Sequence, residues 1–407
     1  MYKVLQINVV GNFGSTGRIA NDIGDLCLSN NWESYIGVGR KERPSNSKII
    51  KIGNNIDLVK HALKTRVFDR HGFGSKKATK KFIEKILEIK PDIIHLHNIH
   101  GYFINIEILF DFLKEYNVPV VWTLHDCWAF TGHCAYFDFV KCLKWKTMCF
   151  ACPQKKSFPS SCFFDNSKAN YIDKKNLFNN VNNLTLVPVS NWLNGLVNDS
   201  FLESKSQVIN NGVNLNDFTP SKNIEKTKAK LRIQNKLIVL GVASIWSDRK
   251  GFKDFIKLSK LVDKNVIIVL VGLNDKQFKN LPGNIIGIQR TESISELVDL
   301  YSAADLYLNL TYEDNFPTTN LEALACGTPV LTYNTGGSIE SVDNTTGFVV
   351  KKGDIAGVVT ILNKKGLFVS KKTKNSCREK ALKNYNKDER YNEYLELYNR
   401  LIKNHKK

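Results

Sequence analysis

Nowhere in the 407 residues do eighteen apolar side chains run together, so no segment reads as a membrane-spanning helix. The amino-terminal MYKVLQINVV passes straight into an apolar strand without the pattern of a cleavable leader, and a cytoplasmic location is expected. No Asp-x-Asp pair occurs, so the simplest two-carboxylate cradle for a divalent cation is missing. Internal repeats and low-complexity tracts are absent; the two halves share only a rhythm of strand, loop and helix. Acids are scarce beside bases, 39 Asp and Glu against 58 Lys and Arg, for a net charge of +19. Such an excess attracts an anionic neighbour: nucleic acid, anionic lipid or polyphosphate. Nucleic acid is disfavoured, because aromatic and basic residues do not interleave into a platform. The lysines are scattered, with denser patches at Lys76–Lys81 and Lys371–Lys374. They fit an ordinary lysine-rich surface, or peripheral contact with the anionic inner membrane at roughly 1 kcal/mol per lysine.

What is present suits an α/β protein of two domains, with 43% hydrophobic and 24% charged residues. Its organising stretch is Glu313–Glu340, EDNFPTTNLEALACGTPVLTYNTGGSIE. Ala304–Thr311 reads as a strand ending ahead of two acids. Pro317 sits where a helix begins, Leu321, Leu324 and Ala325 give that helix an apolar stripe, and Gly327 and Pro329 end it. Val330–Tyr333 is a second strand, and Thr335–Ser338 a tight loop. A helix start offers unpaired amides and partial positive charge, here with the amides and hydroxyls of Thr318 and Thr319 facing outward. Asp314 and Glu322, eight positions apart, repel phosphate but accept hydrogen bonds from sugar hydroxyls. An anion grip beside a hydroxyl grip is what a nucleotide-sugar needs, and each charge-assisted bond contributes roughly 1.5–3 kcal/mol.

From the amino end, Lys3–Val10 is an apolar strand, followed by the loop Gly11–Arg18 (GNFGSTGR) and a helix over Ile19–Leu28. Strand, glycine loop and helix let the backbone approach a phosphate. The spacing Gly-x-x-Gly-x-x-Gly is not the dinucleotide fingerprint, and a plain tight turn reads the same way. A helix over Lys81–Ile89 leads to the buried strand Ile93–His97, where His95 and His97 share a face. A metal pair, an acceptor lining and plain core histidines all stay open there. Carboxyl ends of parallel strands line a ligand crevice. That makes His100 a candidate and, beyond strand Val118–Leu124, His125 and Asp126 as well. Leu184–Val189 is the last strand of this half, with Ser190 capping the next helix.

Four of the nine cysteines, Cys134, Cys142, Cys149 and Cys152, are spaced x7, x6 and x2 beside His133. Disulfides are disfavoured in a cytoplasmic protein. Clustered thiols with a Cys-x-x-Cys knuckle fit a structural zinc. Free thiols in an irregular loop and a redox role are the alternatives. Four thiolates would close the site and leave no position for catalysis. Cys27, Cys127, Cys162, Cys326 and Cys377 read as isolated small residues.

In the second half, Ser221–Lys230 is polar and helical, and Leu237–Ala243 opens a new sheet. SIWSDRKG follows it, placing Arg249 and Lys250 on a loop before helix Phe252–Leu261. Val266–Val271 and Ile285–Ile288 are further strands, the latter followed by Gln289 and Arg290. Ser295–Ala304 is an amphipathic helix leading into the organising stretch. Gly347–Val350 is a last strand, and Asp388–Lys403 a tyrosine-rich helix.

The Glu313–Glu340 run resembles the acid-x7-acid signature of retaining glycosyltransferases of family four, which have the GT-B fold. The strings DNFPTT and TLHDCW are similar to the colanic-acid and O-antigen branch of that family, and the resemblance spans nearly the whole chain. It departs at the first acid, which is Asp314 rather than Glu, and in Asn315-Phe316-Pro317 where Gly-Phe-Gly is usual.

The resemblance implies two Rossmann-like domains facing across a cleft. Residues 1–209 form the acceptor side with a Cys-rich insert at 127–165, 210–386 bind the donor, and 387–407 form a helix crossing back. It implies that Asp314 holds the sugar hydroxyls and Glu322 the nucleotide ribose, with Asn315, Phe316, Thr318 and Thr319 around the donor. Gln289 and Arg290 belong to the loop that reads the nucleobase. Gly14, Ser15, Gly17 and Arg18 lie near the donor phosphates and the acceptor, with His100 and Asp126 on the acceptor side. His125 lies beside the scissile bond. Lys250 matches one of the family's two cations, and Arg249 stands in for the other. The expected reaction moves a hexose, with retention, to a saccharide or lipid-linked acceptor of a growing surface polysaccharide. No cofactor is expected for catalysis beyond the structural zinc. A GT-B epimerase acting on the sugar-nucleotide, and a basic nucleic-acid-binding protein, are the competing readings. Glu322→Ala is expected to weaken nucleotide binding more than the fold.

Overall fold

Among the described residues, apolar runs of four to six residues, most of them buried on both faces, build twelve strands. The computed structural model describes residues 1–406. In the first half the strands are β1 Lys3–Asn8, β2 Glu33–Val38, β3 Lys48–Lys51, β4 Ile93–Leu96, β5 Val120–Leu124 and β6 Leu184–Pro188. They form one parallel sheet in the order β3-β2-β1-β4-β5-β6. The second half contributes β7 Leu237–Val242, β8 Val266–Val271, β9 Ile285–Ile288, β10 Leu306–Asn309, β11 Val330–Tyr333 and β12 Gly347–Val350. These form a second parallel sheet, β12-β11-β10-β7-β8-β9. Each sheet runs outward from its first strand in both directions, which is the doubly wound order. The order reverses between β1 and β4 in one sheet and between β7 and β10 in the other. Ligands of such sheets bind at the carboxyl ends of the strands flanking the reversal.

The chain divides into a first unit, Met1–Asn210 with the segment from Arg390 on, and a second unit, Asn211–Glu389. The sequence expectation placed these divisions at 209/210 and 386/387. The late segment belongs to a helix over Lys387–His405 whose Tyr391, Tyr394, Leu395, Tyr398 and Ile402 join Val4, Ile93, Val121 and Val187 in one core cluster. His95 fastens it further: its Nδ1 accepts from the Tyr398 hydroxyl at 2.5 Å, and its Nε2 lies 2.7 Å from Thr123 Oγ1, which in turn donates to Tyr394. His95 is therefore a buried core histidine, and no metal-holding group forms around it among the described residues.

Two expected boundaries move. The first helix covers Gly14–Ser29, so Gly14, Ser15, Gly17 and Arg18 lie in its first turns and not in a loop. Gly17 permits this, because a Cβ there would meet the backbone oxygen of Val10 and the amide of Asn12 at 3.2 Å. The helix expected over Lys81–Ile89 begins at Lys76. The Cys-rich insert is irregular apart from single turns at Trp128–Phe130 and Lys144–Lys146. It is held by the buried Lys174, which donates to the carbonyls of Trp128 at 2.7 Å and Thr131 at 3.0 Å and lies over the Trp128 ring.

Candidate functional site

In the second unit the loops after β7 and β10 flank the reversal and are laced together. Tyr312 N–H donates to Arg249 O at 2.8 Å, Arg249 Nη1 donates to Glu313 O at 3.0 Å, and Lys250 Nζ meets Asp314 Oδ2 at 2.5 Å. The approach is close enough to demand glycine next door: Gly251 has φ +78°, and a Cβ there would stand 2.1 Å from Leu310 O. Buried Asp254 anchors the arrangement by accepting from the Tyr312 hydroxyl at 2.6 Å and the Tyr333 hydroxyl at 2.9 Å. Arg249 and Lys250 thus lie where the sequence expectation wanted cations. In this state Arg249 holds a backbone carbonyl, and Lys250 holds the very carboxylate expected to bind sugar. A partly exposed pair is worth on the order of 1 kcal/mol, so an incoming anion and hydroxyl could separate it at small cost.

The helix Thr318–Ala325 starts immediately beyond. Pro317 is its cap rather than its first residue, and no side chain caps the end. The amides at its start therefore stay available to an anion. Behind it, Asn320 accepts from Asn309 Nδ2 at 2.8 Å and donates to Ser341 Oγ at 2.9 Å, which fixes the helix start against β10. Asn309 and Asn320 did not figure among the expected site residues. Their signal was an asparagine in a buried strand and another in a helix, both poor formers of those elements.

Four expectations need correcting here. The Thr319 hydroxyl is turned inward, to the buried Tyr307 hydroxyl. The Phe316 ring is buried 6.0 Å from Tyr385 and its carbonyl accepts from Asn211, so it packs the loop and presents no face to a donor. Asn315 is also buried. Glu322 is buried too, accepting from the Tyr301 hydroxyl at 3.0 Å. Glu322→Ala would leave that hydroxyl unpaired at about 1–3 kcal/mol, so it weakens the fold as well as any nucleotide. Glu322→Gln keeps an acceptor and removes the charge. Thermal unfolding should show a clear loss for Ala and little for Gln, with nucleotide titration weakened in both. Gln289 and Arg290 are exposed after β9, the edge strand, with Gln289 Nε2 on Asp275 Oδ1. They stand two strands from β7, roughly 10 Å at ordinary strand spacing.

In the first unit the reversal point carries the uncapped start of the Gly14–Ser29 helix beside the ends of β1, β4 and β5. Gly14 faces open space, and Arg18 is exposed with its Nε on Gly14 O. His100 Nε2 lies 2.8 Å from Asp126 Oδ2, and Asp126 Oδ1 accepts from Trp128 N–H. Burial pushes the Asp126 carboxyl up, but His100 and the Trp128 amide more than offset it and hold it low. His125 is placed by a relay. Gln6 Nε2 donates to Ala20 O, so its Oε1 faces His97 and accepts from His97 Nε2–H at 3.0 Å. His97 is buried and kept neutral by desolvation, so its Nδ1 accepts from His125 Nε2–H at 3.3 Å. His125, pushed down to about 4 chiefly by burial, therefore presents an unprotonated Nδ1. His97, one of the same-face pair of the sequence reading, and Gln6, which that reading did not single out, are the positioning residues.

Cys134, Cys142, Cys149 and Cys152 do converge, lining one cavity of about 10 Å³ with His133. The expected four-thiolate cage is nevertheless not formed as the side chains stand: among the described residues no three His, Cys, Asp or Glu groups are arranged to hold a metal. Cys134 and Cys152 hydrogen-bond to each other, and Cys149 Sγ accepts from Gly132 N–H at 3.2 Å.

Residues 223–384 match the model of the family Glycosyl transferases group 1. Over its length the chain is similar to the putative colanic acid biosynthesis glycosyl transferase WcaC of Escherichia coli K12, at 23% identity covering 98% of this chain and 100% of that one. It is 28% identical, over 50% of this chain and 56% of the relative, to N,N'-diacetylbacillosaminyl-diphospho-undecaprenol alpha-1,3-N-acetylgalactosaminyltransferase of Campylobacter jejuni. HepE of Anabaena, solved in complex with UDP-glucose, shares the fold with a TM-score of 0.68 at 16% identity, covering 98% of this chain and 99% of that one. The doubly wound sheets, the laced loops at the second sheet's reversal and the family match over that unit agree: the chain carries a group 1 glycosyl transferase domain and is a glycosyltransferase of the GT-B fold.

Proposed function

We propose that this enzyme transfers a hexose from a nucleotide-sugar, with retention, to a lipid-diphosphate-linked saccharide during surface-polysaccharide assembly. The observation that carries this is the Lys250–Asp314 pair beside the uncapped helix start at Thr318. One arm suits a diphosphate and the other a sugar hydroxyl, and each is satisfied by the other until a donor arrives. As the bond from the anomeric carbon to the diphosphate oxygen breaks, Lys250, Arg249 and the helix amides take up the developing charge. The acceptor oxygen bonds to the same face of the carbon, and its proton passes to the leaving phosphate. The unprotonated Nδ1 of His125 is suited to accept from a hydroxyl and so to orient a sugar. The named relatives support the substrate class: WcaC by its colanic acid assignment, the Campylobacter enzyme by its undecaprenol-linked acceptor, HepE by its UDP-glucose complex.

Charge neutralisation by protein cations makes the transfer independent of divalent metal. A panel of nucleotide-sugars should give product in EDTA, at a rate close to that with magnesium. A strict magnesium or manganese requirement would overturn the proposal, and conversion of the donor to a new sugar-nucleotide without acceptor would replace it with epimerisation.

The acceptor class places the first unit at a lipid surface. No helix among the described residues is long and apolar enough to cross a membrane. The helix Asn55–Phe68 instead exposes Ile56, Val59 and Leu63 at helical spacing, with Lys60 and Arg66 beside them, and Phe68 stacks on exposed Phe164. The helix Lys76–Ile89 adds exposed Lys76, Lys77, Lys80, Lys81 and Lys85. Apolar anchors among cations fit an anionic bilayer interface. Co-sedimentation with vesicles containing anionic phospholipid should exceed that with neutral vesicles. Val59→Asp with Leu63→Asp should abolish it while leaving transfer to a soluble acceptor intact.

A further inference from the structure

The Cys-rich insert holds a cavity that the transfer chemistry does not use. Its wall carries the four thiols and His133, which is 98% buried given its 2% exposure. His133 Nδ1 is held by the Asp69 carboxylate, and its Nε2 has no hydrogen-bond partner. A buried ring nitrogen without a partner is destabilising unless something in the cavity answers it. The backbone is shaped for the same purpose. Gly132 lies so close to Cys149 that a Cβ would stand 2.7 Å from the Cys149 Cβ and 2.0 Å from Ser167 O. That approach lets its amide donate to Cys149 Sγ, the kind of bond that steadies a thiolate.

We propose that Cys134, Cys142, Cys149 and Cys152 bind one structural zinc ion beside the buried His133. The cavity of about 10 Å³ suits one ion and excludes a larger ligand. Binding releases the thiol protons to solvent and converts the Cys134–Cys152 hydrogen bond into two metal bonds, so the side chains rotate inward as the ion enters. Four sulfur ligands leave no open position, so the ion is structural. The insert runs directly on from Asp126, and Trp128 and Ala129 line the small cavity around His100 and His125. The zinc therefore steadies the wall of the first unit's site.

The full-length protein, purified under reducing conditions without chelator, should contain one zinc per chain by elemental mass spectrometry. X-ray absorption should show four sulfurs at about 2.3 Å. Cys142→Ser and Cys149→Ser should each lose the metal, whereas Cys27→Ser and Cys377→Ser should keep it. Where the serine variants do not fold, the wild-type protein decides: stripping with a thiol-competing chelator should lower its melting temperature, and zinc but not magnesium should restore it. Failure of zinc to bind after titration under reducing conditions, or a Cys134–Cys152 disulfide in the protein isolated with thiols blocked, would overturn the proposal.

Discussion

Acidification should unfold the first unit while the second stays folded. All eight histidines lie outside residues 211–389. Four of them, His61, His71, His95 and His97, are buried and held neutral in the fold, desolvation being the main cause in each; His61 is pushed down to about 3. His61 shows why: its Nε2 accepts from the amides of Gly72 and Gly74, a role only the neutral ring can fill. The unfolded chain binds these protons near pH 6.5, so below that pH it holds more protons than the folded one, and stability falls as pH falls. Above pH 6.5 neither state is protonated and the effect vanishes. Each such group costs about 1.4 kcal/mol per pH unit, so four together cost about 5.6 kcal/mol per pH unit. Against a stability of about 5–15 kcal/mol, the first unit should be lost within about one to three units below pH 6.5. His133 opposes this, since Asp69 more than offsets its burial and raises it. Calorimetry should resolve one transition into two on going from pH 7.5 to 5.5. In a Trp246→Phe variant the remaining tryptophans all report the first unit, and their fluorescence should follow the earlier transition. A single transition independent of pH over that range would contradict the account.

Lys250→Ala should lower kcat/KM by about 100- to 1000-fold, the usual cost of removing one preorganised group from a developing anion. The fall should appear mainly in kcat, with the nucleoside diphosphate product also bound more weakly. A structural role would behave differently. If Lys250 served only to hold Asp314, then Asp314→Asn and the double variant would match the single one, and the cycle would show full coupling. If both groups contact the donor, the double variant should fall below either single variant. Arg249→Ala should add a stability loss, since its guanidinium bonds Glu313 O.

Strands buried on both faces were legible in the sequence because they read as unbroken apolar runs; Val120–Leu124 and Val266–Val271 are of this kind. β2 and β3 carry no such signal: Glu33–Val38 contains a glycine, and Lys48–Lys51 is an edge strand with lysine at both ends. The start of the first helix was obscured because glycines that permit close packing look like a loop. At the site, Asp314 and Lys250 were visible as residue types beside strand ends, but their meeting across 64 positions follows only from the parallel order of β7 and β10. Which nitrogen of His125 carries the proton depends on Gln6 and His97, which reach it from two other strands. Inward-turned Thr319 shows the opposite limit, where a plausible outward hydroxyl was captured by a core tyrosine.

The tyrosine-bearing helix Lys387–His405 is also a matter of timing. A ribosome that has finished Asn210 has made every strand of the first sheet, but not Tyr394 or Tyr398, which His95 and Thr123 require. At about 5–20 residues per second, the intervening stretch takes roughly 10–40 s to translate. During that interval the nascent first sheet exposes one apolar flank, a natural target for a holding chaperone, and the whole second unit, Asn211–Glu389, is synthesised before that flank is covered.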